Sequence, residues 1–241
     1  MRDIISVPFG NEDTLIVACD NSGAIGMKEQ DHVHVPYETV AYFSFRVAAM
    51  ECIAAGGQPM CVVLHNFCGN EPWDELVMGI QKGLKELGLK DIPITGSSES
   101  NFSLHQSAIG LIILGKRTDS KWVDLHYSPQ LKFAVIGQPL VGPEVVEQAE
   151  QIVPLSLFQK VAKLQEVMIW PVGSKGILFE LNQMFQDVTF SLDMVSADVD
   201  ILKSSGPATC FIVVYHADDE EKVKNSTGDF FLRLQIEMVK K

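Results

Sequence analysis

Basic residues are scarce in this sequence, as are the patterns that would place it in an oxidising compartment or a membrane. Nineteen Lys and Arg side chains stand against thirty-one Asp and Glu, a formal net charge of −12 over 241 residues. That balance repels phosphate polymers and anionic lipid surfaces, which argues against nucleic-acid or membrane partners. It leaves room for a small phosphate ligand, because a divalent cation can bridge acid to phosphate. Cysteine is sparse and odd in number (Cys19, Cys52, Cys61, Cys68 and Cys210), with no CxxC pair. Neither a disulfide framework nor a zinc cluster is indicated. Several of these thiols sit in apolar runs, where a free thiol packs as a small hydrophobe, and a cytoplasmic location is expected. No run approaches the ~20 apolar residues of a membrane helix. The opening MRDIISVPFGNED has early acids and no long apolar stretch, so no secretory signal is expected. A Walker A motif is missing too, since GSKG lacks the GxxxxGK[ST] spacing, and no internal repeat occurs.

What is present is a chain that is 46% hydrophobic, enough for one large domain or two small ones. LIVAC (15–19) reads as a buried strand that ends in the turn DNSGAIG. PYETVAYFSFRVAAMECIAAGG reads as one long helix, with Pro36 in its first turn, Val40, Phe43, Val47 and Met50 at helical spacing, and Gly56-Gly57 closing it. PMCVVLHNF is a second strand. The next helix carries the stripe Trp73, Leu76, Val77, Ile80, Leu84 and Leu87, and ends before Gly88. IPIT and AIGLIILGK are further strands, so the first ~115 residues alternate strand and helix in the α/β manner. The polar RTDSKWVDLHYSPQ suggests a boundary between domains spanning 1–118 and 129–241. Beyond it, KFAVIGQPL, DVTFSL, TCFIVVYH and DFFLRLQIEM read as strands. PEVVEQAEQI and LSLFQKVAKLQEV read as helices, and MIWPVGSKGILFELNQMF as strand, Gly-rich turn and helix.

Three acids fall at informative places. Asp20 ends the first strand, Glu51 lies late in the long helix among small and apolar residues, and Glu99 sits in the turn ITGSSESNF. An acid in an apolar helix face is costly without a partner. Three acids from separate elements, if they converge, suit Mg²⁺, which takes oxygen ligands. Each also has a plain alternative: a turn acid, a residue on the solvent stripe, a cap.

The order of CDNSGAIG, RVAAMECIAAGGQP and PITGSSESNF resembles the ATP-binding, PurM-like superfamily that includes aminoimidazole ribonucleotide synthetase, thiamine-monophosphate kinase and selenophosphate synthetase. In that family a DGVGTK-like turn follows the first long strand, a helix ends in NDI…GA.P, and a GGE or GGD turn comes later. Asp20 matches the first acid, Glu51 stands at the helix Asp, Gly56 and Pro59 match GA.P, and Glu99 matches the acid of the GGE turn. Met50 in place of Asn and Ser97-Ser98 in place of Gly-Gly are departures. DNSGAIG, GSSESNF, PVGSKGI and KSSGPATC look closest to the α-ribazole kinases within it. The resemblance implies a two-subdomain α/β (α+β) fold, an N-terminal mixed sheet with helices and a smaller C-terminal α/β domain. It also implies ATP as co-substrate, Mg²⁺ held by Asp20, Glu51 and Glu99, a nucleoside substrate phosphorylated at its 5′-hydroxyl, and a homodimer.

Phosphoryl transfer depends on positioning and charge neutralisation, with backbone amides of Gly-rich turns facing the phosphate. On this reading Asn21, Ser22, Gly23, Gly96, Ser97 and Ser98 lie near phosphate or substrate. Gly173, Ser174, Lys175 and Gly176 form a phosphate loop of the second domain, and SSGPATC offers further amides. Lys175 is otherwise a solvated lysine at a helix start. His65 and Asn66 end a strand where substrate would bind; His65 is a candidate base or a hydrogen-bonded half-core residue. His32 and His34 alternate on one face, half a metal site or a surface strand, and Asp31 is a candidate for metal or nucleoside. Cys68 and Ser98 have no His–acid partnership that would make a nucleophile. Other chemistries of the same superfamily, thiamine-phosphate phosphorylation or ring closure, and nucleotide binding without turnover are the alternatives.

Overall fold

The computed structural model describes residues 4–10, 13–118, 126–185 and 187–237. The chain divides into two compact units, 1–121 and 122–241. Much of the polar boundary stretch, 119–125, lies outside the described residues.

The first unit contains β1 (Ile4–Phe9), β2 (Asp13–Gly23), β3 (Ile25–Gly26), β4 (Val33–His34), α1 (Tyr37–Ala54), β5 (Gln58–Asn66), α2 (Trp73–Glu86), β6 (Ile94–Ser98) and β7 (Ala108–Thr118). Its main sheet runs β1-β2-β7-β5-β6, and β3 and β4 form a small parallel pair. β5 and β6 are parallel and the other neighbours antiparallel. The parallel pair needs a crossover, which α2 provides. Because β2 and β5 both oppose β7, the strands β2, β5 and β6 end on the same side.

One face of this sheet is covered. Ile16, Ala18, Val62, Leu64, Ile109, Leu111 and Ile113 are buried there with Val40, Phe45, Ala48 and Cys52 of α1. α1 also supports α2, and glycine sets how close they come. A Cβ on Gly79 would overlap the Glu38 carbonyl oxygen, and one on Gly83 the Phe45 ring. At this seam Arg46 is fully buried, and the Tyr42 hydroxyl donates to Glu86 Oε2 at 2.9 Å. Burial pushes the Tyr42 phenol up to about 12, with Arg46 pulling it down and Glu86 raising it.

The second unit contains β8 (Leu131–Ile136), α3 (Glu144–Glu147), α4 (Leu155–Ala162), β9 (Met168–Pro171), α5 (Gly176–Met184), β10 (Val195–Ala197), β11 (Phe211–His216), α6 (Glu220–Thr227) and β12 (Phe231–Ile236). The antiparallel sheet β10-β12-β8-β11-β9 packs Phe133, Val135, Ile212 and Val214 against Ile177, Leu181 and Phe185. On its other side Phe158 of α4 meets Phe211 edge to face, centroids 5.0 Å apart.

Several local expectations change. The strand holding Asp20 does not end there: it pairs with β7 as far as Gly23↔Ala108, and the turn comes at Ala24, where φ is +58°. Likewise Gly96, Ser97 and Ser98 are strand, not turn. DVTFSL forms no strand. Asn182 takes the place of a ladder neighbour, its Oδ1 accepting from the Phe190 amide at 2.7 Å and its Nδ2 donating to the Phe190 carbonyl at 3.0 Å. The helix expected over PEVVEQAEQI is broken into α3 and a 3₁₀ turn at Ala149–Gln151.

Candidate functional site

The common ends of β2, β5 and β6 carry most of the residues singled out from the sequence. Asn66 is the anchor there. It is buried, its Nδ2 donates to Ser98 Oγ at 2.8 Å and to the Gly69 carbonyl at 2.6 Å, and its Oδ1 accepts from the Cys68 amide at 2.8 Å. Its carbonyl accepts from the Glu99 amide at 2.8 Å. Asn66 and Ser98 therefore join β5 to β6 and are occupied by the fold. Cys68 is occupied as well, its thiol donating to the Ala108 carbonyl at 3.4 Å, and burial raises its pKa.

The three acids stand apart within one chain. Asp20 pairs with Leu111, Leu111 with Leu64, and Leu64 with Gly96. Asp20 and Gly96 are thus three strand spacings apart, about 14 Å, and Glu99 lies about 10 Å further along. Glu51 is in the last turn of α1. The thiol of its neighbour Cys52 lies against Gly115, which pairs with Ile16, four residues or about 13 Å of strand before Asp20. Among the described residues, no three His, Cys, Asp or Glu side chains are grouped as metal ligands. Among the described residues of one chain, the three acids that the resemblance implied for Mg²⁺ are not brought together. Glu99 instead caps the loop that follows it, its Oε1 accepting from the amides of Asn101 at 2.7 Å and Phe102 at 3.2 Å.

The carboxylate of Asp31 is likewise fully engaged. It is buried, accepting from the Ser107 amide at 2.7 Å, the Ser107 hydroxyl at 2.7 Å and the Lys28 amide at 2.8 Å. The Tyr37 hydroxyl lies 3.1 Å from Ser107 Oγ. Burial pushes the Asp31 carboxyl up, but the Ser107 and Lys28 hydrogen bonds and the charge of His34 outweigh it, and its pKa ends below the ordinary value. His32 and His34 are exposed.

The face of the main sheet away from the helices is open. Register places Asn21, Gly110, His65 and Ser97 in one row across β2, β7, β5 and β6 on that face. Asn21, His65 and Ser97 are exposed. Gly110 leaves a notch between Asn21 and His65, since a Cβ there would lie 3.6 Å from His65 Cβ. The neighbouring rows are largely apolar: Cys19, Ile112, Val63 and Thr95, then Val17, Leu114 and Cys61. Ile5, Val7 and Phe9 of β1 extend them and are exposed. Asp20 and Ser22 alternate to the helix-covered side, and Gly23 ends β2.

Two residues near this row were not expected from the sequence. Lys28 donates from Nζ to the carbonyls of Phe67 at 3.3 Å and Leu104 at 2.9 Å, and nothing local marks it. Phe102 is the other; an apolar residue within the polar SSESNFSLHQS was an available signal for it.

In the second unit the two Gly-rich turns meet. The Ser205 amide donates to the Gly173 carbonyl at 3.1 Å, and the Gly176 amide to the same oxygen at 3.3 Å. Gly176 has φ +81°, and a Cβ there would press on the Leu202 and Lys203 carbonyl oxygens. A Cβ on Gly206 would lie 3.9 Å from Ser174 Cβ. Lys175 is exposed, and its Nζ lies 4.4 Å over the Phe179 ring.

No family model and no curated protein matches this sequence. Solved structures do match. PurL of Thermotoga maritima complexed with ADP shares 12% identity over 98% of this chain and 42% of its own, with a TM-score of 0.64. The same protein complexed with AMPPCP matches at 14% identity over 92% and 40%, TM-score 0.59. The HypE–HypF complex matches at 13% identity over 98% of this chain and 88% of that one, TM-score 0.61. The chain spans about two fifths of the PurL chain's length. At these identities the likeness is one of fold. The α/β architecture expected from the resemblance is the one observed.

Proposed function

We propose that this chain is an ATP-dependent enzyme of the PurM-like fold, and within that class a kinase for a hydroxylated nucleoside such as α-ribazole. The likeness of fold over nearly the whole chain to a protein solved with ADP, AMPPCP and ATP carries the nucleotide half of this reading. The row Asn21–Gly110–His65–Ser97 supports the acceptor half, because it sets three exposed polar side chains around a notch on a largely apolar face. The acceptor hydroxyl oxygen attacks the γ-phosphorus, the bond from that phosphorus to the bridging oxygen breaks, and ADP leaves. His65, the titratable member of the row, takes the hydroxyl proton. Asn21 and Ser97 orient the sugar hydroxyls. Asp20, Ser22 and Gly23 belong to the nucleotide end of this unit, as do Gly96 and Ser98. In the second unit the turn of Gly173, Ser174 and Lys175 offers amides to phosphate, and Gly176 shapes it by donating its own amide to the Gly173 carbonyl. Asp20, Glu51 and Glu99 are the candidate ligands for magnesium, which would neutralise phosphate charge wherever these acids are brought together. The open apolar face with Ile5, Val7 and Phe9 is read as a homodimer interface.

A coupled assay tests this. ADP release is expected to rise with α-ribazole and not with thiamine phosphate; a rise with thiamine phosphate alone assigns the other kinase chemistry of the fold. Asp20→Asn is expected to reduce turnover about a hundredfold or more, with its circular dichroism unchanged. Full activity in that variant removes Asp20 from the site. The separation of the three acids favours a second reading, nucleotide binding without turnover. It predicts calorimetric binding of AMPPCP with no ADP formed from any acceptor.

A further inference from the structure

Beside the polar row lies a loop, 99–107, that is fixed along its length. Asn66 holds the Glu99 amide, Glu99 Oε1 holds the amides of Asn101 and Phe102, and Lys28 Nζ holds the Leu104 carbonyl. Gln106 Nε2 donates to the Gln30 carbonyl at 2.7 Å, and Asp31 grips Ser107. Yet the loop presents Phe102 with 78% of its surface exposed. A single exposed aromatic on a loose loop is ordinary. Here the backbone is held on both sides of the ring, and the Phe102 amide is one of the held groups.

The surroundings are apolar as well. Phe67, Leu104 and Met27 are exposed large hydrophobics. Lys28 joins the main chain at two of them, its ammonium group bonding the carbonyls of Phe67 and Leu104, and Met27 precedes it in the chain. Phe67 follows His65 by two residues, and its amide donates to the Ala108 carbonyl at 3.0 Å. The patch therefore continues directly from the polar row. A polar strip that suits sugar hydroxyls is followed by Phe67 at the end of β5 and, beyond β6, by a loop whose held backbone carries Phe102. That order matches a nucleoside, which is a polyhydroxylated sugar joined to a flat aromatic base.

We propose that Phe102, with Phe67, Leu104 and Met27 around it, is the platform for the aromatic base of the acceptor, and that Glu99 is a positioning residue which caps the loop to hold that ring. The proposal rests on the nucleoside-acceptor reading above. A stacked base is sequence-tolerant but requires a π-face, so the platform selects aromatic-base nucleosides over bare sugars.

The test compares α-ribazole with methyl riboside, which has the sugar and lacks the base, as acceptors for the full chain. Phe102→Ala is expected to raise KM for α-ribazole about tenfold with kcat unchanged, in line with the worth of one base–aromatic stack. KM for methyl riboside stays the same, and Phe102→Trp restores tight binding. Glu99→Ala is expected to follow Phe102→Ala. Glu99→Gln, whose amide oxygen still accepts from both backbone amides, is expected to behave as wild type. An unchanged KM in Phe102→Ala, or an equal rise for both acceptors, overturns the platform. A collapse of kcat in Glu99→Gln overturns the capping role and returns Glu99 to the chemistry. If Phe102→Ala alters the oligomeric state while nucleoside binding is intact, the patch is a contact with a second copy and the proposal fails. Calorimetric titration of α-ribazole into the same variants separates this inference from the function. If wild type binds the nucleoside but forms no ADP, turnover is wrong, and the platform still stands or falls on whether Phe102→Ala weakens binding. Wild type that binds no nucleoside overturns it.

Discussion

Asp31 shows what a buried acid does when its oxygens are all engaged. Its carboxylate holds Ser107 at two atoms and the Lys28 amide at a third. Its pKa is held below the ordinary 3.8 by hydrogen bonds that outweigh the effect of burial. A group whose folded pKa is depressed contributes stability that is present above its unfolded pKa and lost as pH falls through the folded one. Asp31→Asn offers an NH₂ where an amide needs an acceptor, and is expected to cost about 2 kcal/mol at neutral pH. Urea unfolding at pH 7 and again below pH 3.8 checks this: the gap between wild type and variant narrows at the lower pH. Cys52 makes a simpler case. Burial pushes its thiol to about 12, so a thiol-specific reagent at about pH 8 leaves it unmodified until the protein is unfolded.

At the scale of elements, Gly96 and Gly23 look alike in the sequence and differ in the fold. A Cβ on Gly96 would overlap the Leu64 carbonyl oxygen and lie 3.0 Å from the Trp73 ring, whereas one on Gly23 meets nothing within 4 Å. Gly96→Ala is expected to lower stability by about 3 kcal/mol, while Gly23→Ala stays within about 0.5 kcal/mol, as thermal unfolding would show. This contrast marks how far linear patterns reach. Hydrophobic periodicity located α1, α2 and the cores of β2, β5, β7, β8, β11 and β12, because each has a buried face that repeats. It failed at 187–192, where the Asn182 side chain replaces a strand partner, and at the ends of β2 and β6, where turn-forming residues are drawn into the ladder by neighbours. The candidate site was legible only in part. His65, Asn21 and Ser97 each stood out, but their row exists through the register with Gly110. Glu99 reads from the sequence either as a metal ligand or as a cap, and its bonds to the Asn101 and Phe102 amides are those of a cap.

For the whole molecule, the proposed homodimer rests on the open face. Val7 and Phe9 are exposed on an edge strand, and apolar rows run inward from them. Val7→Lys combined with Phe9→Glu is expected to convert a dimer to a monomer in light scattering with little change in the circular dichroism of the chain. A wild-type monomer at micromolar concentration would count against the interface. The described residues contain no helix long and apolar enough to cross a membrane.

The sheet order also bears on how the protein is made. β7 is the middle strand of the first unit and the last of its five to be synthesised. While the ribosome is still upstream of residue 108, the nascent chain holds a β1–β2 hairpin and a β5–α2–β6 crossover that have no strand to join them. Each half leaves an unpaired border beside apolar side chains. Closure must await distant pairing, the kind that slows folding, so both borders stay open to wrong partners until β7 has been made.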